Sequence, residues 1–61
     1  MSESPVKVMA RRFSEEFQHA EAMEHVDRYI FLAEPIPSAH EFWVAVKVEL
    51  LIRNSVKQTT R

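Results

Sequence analysis

The side chains in this sequence that could take part in chemistry are three histidines, nine carboxylates and a few hydroxyls. Their spacing limits what each can do. His19 and His25 lie six residues apart, which turns them about 120° from one another on a helix, so a single helix cannot bring both to one ion. Glu16-Phe17-Gln18-His19 matches the Glu-x-x-His element of di-iron four-helix bundles. A dimer of hairpins would supply two copies, and Glu49 the carboxylates of the second helix. The same spacing arises readily in a glutamate-rich helix as a solvated charged face, and neither a metal nor a cofactor is expected. Ser14, Ser38 and Ser55 have no histidine and acid at the spacing of a nucleophilic triad and read as caps or solvated residues. Glu15 and Glu16, adjacent in sequence, point in different directions on a helix and cannot share acid and base roles. No catalytic residue is expected, because so short a chain has little room for a pocket of several hundred Å³.

Composition narrows the classes further. The chain has 61 residues with neither cysteine nor glycine. Without cysteine there are no disulfides, thiolate zinc sites or thiol nucleophiles. Without glycine there are no phosphate-cradling loops, and tight β-hairpins are disfavoured. A domain this small buries a modest fraction of its surface unless something reinforces it, so self-association is the expected reinforcement. The opening Met1-Ser2-Glu3-Ser4 has no secretion or transit pattern, which makes cytoplasmic residence the expectation. The longest apolar run, Phe42-Trp43-Val44-Ala45-Val46, is too short to cross a bilayer, so no membrane association is expected. A net charge of -1 argues against general polyanion binding.

These side chains must be positioned by the elements on either side of Glu34-Pro35-Ile36-Pro37-Ser38-Ala39-His40-Glu41. Proline lacks an N–H and pushes the residue before it out of the helical region, so a preceding helix should end by Ala33 or Glu34. Ser38 and Glu41 then match a capping box that starts a second helix. Residues 1–4 are expected as a loose tail, with Ser4-Pro5 a helix start. Residues 6–13 read as a helix or as a short strand with Lys7, Met9 and Arg11 on one side; helix is preferred, because a lone strand needs a partner. From residue 14 to 33 the helical pattern is strong, but its apolar face moves. Val6, Met9, Phe13, Phe17 and Ala20 cluster on one side, while Ala22, Met23, Val26, Tyr29, Ile30 and Ala33 lie more than a quarter turn away. A bend, or a later helix start near Ser14, would account for this; so would one face for the second helix and another for a second subunit.

Residues 39–56 are apolar on nearly every side. Ala39, Trp43, Val46 and Leu50 fall at heptad spacing, although the valine alternation also suits a strand. The expectation is an all-α, two-helix hairpin in a single domain. Residues 34–38 form its hinge, residues 58–61 fray, and the chain dimerises into a four-helix arrangement. The expected core is Phe13, Phe17, Met23, Val26, Ile30, Phe42, Trp43, Val46, Leu50 and Leu51. Of these, Phe13, Phe17, Phe42, Trp43, Val46, Leu50 and Leu51 form the candidate self-association face.

Charge is segregated along the chain. Lys7, Arg11, Arg12, Arg53, Lys57 and Arg61 lie near the termini, whereas residues 15–49 are mainly acidic. A hairpin would gather the six at one open end as a candidate partner-binding site, although helix-dipole balance alone favours Arg53 and Lys57 at a C-terminus. A short segment with Lys7, Met9 and Arg11, followed by two helices, resembles the ribbon-helix-helix repressors, whose paired strands enter the DNA major groove. That resemblance would make these three the base-reading positions, although the chain departs from the family in its long first helix. Over the whole chain, the opening Arg11-Arg12-Phe13-Ser14-Glu15-Glu16-Phe17 and the proline-hinged second helix resemble the small early proteins of the exo-xis region of lambdoid phages. The resemblance implies a non-enzymatic helical protein made early in infection, acting on host or phage regulation through a protein partner. A regulatory adaptor is therefore the leading expectation, and dimeric DNA binding the alternative.

Overall fold

The structure, a computed structural model, describes the backbone of residues 4–59 and the side chains of residues 4–56. The described residues are all-α, with three helices where two were expected: α1 (Pro5–Glu16), α2 (His19–Leu32) and α3 (Pro37–Thr59). Residues 6–13 belong to α1 and not to a strand. Ser4 is extended, and its Oγ accepts the Lys7 N–H at 3.2 Å. Pro5 follows at the first helical position, where a missing N–H costs nothing. These two residues start a helix that the apolar spacing of Val6, Met9, Ala10 and Phe13 then continues.

The long first helix breaks at Phe17 and Gln18. Both residues are extended, with φ/ψ of -129°/153° and -68°/157°. The Phe17 N–H closes α1 on the Phe13 carbonyl at 2.9 Å, and the Ala22 N–H opens α2 on the Gln18 carbonyl at 2.8 Å. Neither glycine nor proline forces the break. Its cause is the rotated apolar face: a straight helix could lay only one of the two clusters on α3, whereas a broken one lays down both. α1 and α2 each pack along α3 and touch each other little, so the second face is covered by the chain itself.

At the other end α2 stops at Leu32, and the Ala33 N–H bonds the Tyr29 carbonyl at 2.9 Å. The reversal is held by Glu34 N–H to Phe31 carbonyl at 3.3 Å and Ile36 N–H to Ala33 carbonyl at 2.8 Å. No described residue has positive φ, so the turn needs no glycine. The capping box is not what starts α3. The His40 N–H bonds the Ile36 carbonyl at 2.9 Å, which places Ile36 at the cap, Pro37 at the first helical position and Ser38 inside the first turn. α3 continues to Thr59, past the expected end near residue 56 and into the stretch expected to fray.

The buried centre comprises Ala10 of α1, Ala22 and Val26 of α2, Ala33 at the turn, and Val46 and Leu50 of α3. Alanines on α1 and α2 let both backbones approach α3 closely, while Val46 and Leu50, one turn apart, fill the seam. Val6, Met9, Phe13, Phe17, Met23, Ile30, Phe42 and Trp43 close around it, partly buried. Leu51, expected in the core, is 47% exposed, because it lies about 100° round the helix from Leu50.

Aromatic contacts fix where α1 lies. Tyr29 stacks on Trp43 at 4.6 Å, and the Phe13 ring sits 6.4 Å from Tyr29 and 6.0 Å from Trp43. Extending α2 backwards without a break would carry residue 13 about 24 Å beyond Tyr29. α1 is instead folded back against the body of the α2–α3 pair.

Candidate functional site

That fold-back decides the fate of each expected site. Within the candidate self-association face, Val46 and Leu50 are enclosed at 0% and 1% exposure. Phe13, Phe17, Phe42 and Trp43 pack around them. Only Leu51 of the seven is largely exposed. The face read as the dimer seam is therefore used within one chain, since α1 covers what a second subunit was expected to cover.

The basic end is also rearranged. Lys7 and Arg12 are exposed and Arg11 partly buried on α1, which is held against Tyr29 and Trp43 and does not project past the open end of the hairpin. Arg53 is partly buried on α3, and its Nε is enclosed with no hydrogen-bond partner among the described residues. The side chain of Lys57 and all of Arg61 lie outside the described residues. The two-helix hairpin that was to gather the basic residues at its open end is thus replaced by three helices, with Lys7, Arg11 and Arg12 on α1 and Arg53 on α3. Nearer the middle, Lys47 Nζ pairs with Asp27 Oδ1 at 2.8 Å across α3 and α2, at 36% and 55% exposure. Such an exposed pair contributes little to stability.

The metal reading required Glu16 and His19 on one helical face. The break falls between them: Glu16 ends α1 and His19 opens α2. Among the described residues no cluster of three or more His, Cys, Asp or Glu side chains is placed to hold a metal ion. His25 instead rests on the Phe17 ring at 4.6 Å. Ser14 neither caps a helix nor meets a base; its Oγ donates to the Arg11 carbonyl at 2.9 Å. Beside it Phe17, His19, Ala22, Leu50 and Asn54 line a cavity of about 40 Å³, room for a water molecule and not for a substrate.

A ribbon-helix-helix arrangement fails at its first requirement. Lys7, Met9 and Arg11 are helical, and Met9 packs against the core, so no strand presents the three together. No family model, curated protein or solved structure matches the chain. The likeness to lambdoid early proteins accordingly rests on the sequence stretches that suggested it.

The exposed apolar surface is one that sequence reasoning met only at Leu51. Near the turn Phe31, Leu32 and Ile36 are 72%, 63% and 57% exposed. On the side of α3 turned away from α1 and α2, Val44, Val48, Leu51 and Ile52 are 38 to 51% exposed. The signal was available in α3 being apolar all round: with two covering helices on one side, the opposite side is left bare. No described helix is long and apolar enough to cross a membrane.

Proposed function

We infer that this protein is a small, non-enzymatic interaction adaptor that acts as a homodimer and engages a protein partner in the cytoplasm. Its role is regulatory, in the manner of the early proteins of the lambdoid exo-xis region that residues 11–17 resemble; for a phage-encoded chain the compartment is the host cytoplasm. The observation that supports this reading most is the exposure of large apolar side chains at the turn, Phe31 at 72% and Leu32 at 63%. Side chains of this size left in water at two adjacent positions favour a covering protein. Affinity capture with the tagged full chain, with and without nuclease, tests the reading. A protein retained after nuclease and lost with Phe31→Ser is the expected outcome. Recovery of nucleic acid alone, abolished by nuclease, would replace the adaptor with a nucleic-acid binder.

A further inference from the structure

The break at Phe17 and Gln18 is a junction that the local residues do not require. Glu15, Glu16, Gln18, Ala20 and Glu21 are good helix formers, and residues 6–34 contain neither glycine nor proline. α2 opens on a residue whose side chain makes no cap hydrogen bond, and the first turn of any helix leaves its amides without intrahelical partners. Straightening at residues 17 and 18 would let the amides of residues 18–21 bond the carbonyls of residues 14–17. A straight helix cannot, however, keep α1 on its own α3, so the surface around Trp43, Val46 and Leu50 would lose its cover. We propose that two copies of this chain exchange α1: each straightens at Phe17 and Gln18 and lays its α1 on the α2–α3 pair of the other. The proposal rests on the homodimeric reading above and supplies its form.

Two observations name a second copy as the occupant. The surface left open is the one that encloses Ala10 completely and holds Val6, Met9 and Phe13 around it, and the α1 of another copy brings the same four side chains. Exchange therefore keeps those contacts and adds the bonds of the continuous helix. What opposes it is the cost of bringing two chains together, which concentration offsets. Register is the second observation. Phe13 meets Tyr29 and Phe17 meets His25, so four residues forward on α1 match four residues back on α2. The two helices thus run antiparallel, and both pairs are centred on Glu21. A two-fold axis beside Glu21, relating two straight antiparallel helices, restores both pairings between copies. Repulsion between the two exposed Glu21 carboxylates near that axis is weak and screened by salt. The rotated apolar face then has a use in both forms: one cluster of the straight helix lies on its own α3, the other on the partner's.

Gln18→Pro separates the two forms. The φ of -68° at Gln18 is the value proline imposes, and the ψ of 153° at Phe17 is what a residue before proline prefers, so the folded-back chain accepts it. In a straight helix the ring at position 18 would meet the Ser14 carbonyl and break the helix. Sedimentation of the full chain over rising concentration should show a reversible dimer, strengthened in Gln18→Ala and weakened roughly a hundredfold or more in Gln18→Pro. Because the chain contains no cysteine, single cysteines can read the exchange directly. Ser14 on α1 and Asn54 on α3 line one small cavity. A concentrated mixture of Ser14→Cys and Asn54→Cys chains should cross-link on mild oxidation, and the same mixture carrying Gln18→Pro should not. If circular dichroism shows Gln18→Pro unfolded, Gln18→Asp, which caps α2, should weaken the dimer and the cross-link in the same direction. A dimer that persists undiminished in a folded position-18 variant, or that forms without the cross-link, would overturn the exchange and leave the homodimer in place. Wild-type and Gln18→Ala chains that both stay monomeric at several hundred micromolar would overturn exchange and homodimer together, and the capture experiment would still report on a protein partner.

Discussion

Gln18 offers the sharpest test of the break that organises this fold. It occupies the N-cap of α2 with extended backbone, and its side chain makes no cap hydrogen bond. An aspartate there can accept the N–H of Ala20 or Glu21, a gain of about 1 kcal/mol for an uncapped helix start. Its charge adds a few tenths of a kcal/mol at the positive end of the helix dipole, an increment that repulsion from Glu21 in the same turn offsets. The net expectation for Gln18→Asp is a gain of about 1 kcal/mol. For a chain of 61 residues, an unfolding entropy of about 2 cal/mol/K per residue converts that into a rise in Tm of about 8 °C. Were residues 14–33 one continuous helix, position 18 would be interior. The same substitution would then cost about 0.5 kcal/mol and lower Tm by several degrees. The two cases differ in sign, so thermal melts followed at 222 nm at one fixed protein concentration decide between them. Gln18→Ala is the control: neutral at a cap that alanine and glutamine both leave unfilled, stabilising inside a helix. A fall in Tm for the aspartate variant with a rise for the alanine variant would refute the break.

Other substitutions separate the interior from the surface of α3. Leu50→Ala should cost about 3–5 kcal/mol, comparable with the whole stability of a domain this small, and should abolish the cooperative melt; Leu51→Ala should cost under about 1 kcal/mol. Equal effects at the two positions would show that the face of α3 turned inward is misassigned. Asp27→Asn should change stability by less than about 0.5 kcal/mol, as expected for an exposed ion pair, checked by urea titration at low and at high salt. Ser4→Ala should lose about 1 kcal/mol, and hydrogen exchange should quicken at the Lys7 amide before any change in α2.

Much of the architecture follows from local chemistry that a sequence displays. Ser4-Pro5 and the two prolines of the turn act on their immediate neighbours, so the start of α1, the end of α2 near Ala33 and the helical class could be read directly. The rotation of the apolar face between Phe17 and Ala22 was also visible, and a bend was one explanation it allowed. What the rotation could not convey is where the chain goes after bending, because that depends on contacts between Phe13 and residues 16 and 30 positions away, Tyr29 and Trp43. The candidate surface was misassigned for the same reason. Counting one covering helix for α3, and not two, leaves Val46 and Leu50 looking available when α1 already occupies them.

The position of α1 also sets an order of assembly. α2 and α3 are joined by the short turn at residues 33–36, so their pairing closes a small loop. Phe13 and Trp43 must find each other across 30 residues, which costs more chain entropy and comes later. α1 precedes α3 in the chain and docks after it. On the ribosome the apolar side of α1 therefore waits, uncovered, until the α2–α3 pair exists to receive it. Substitutions such as Phe13→Leu should accelerate unfolding far more than they slow folding.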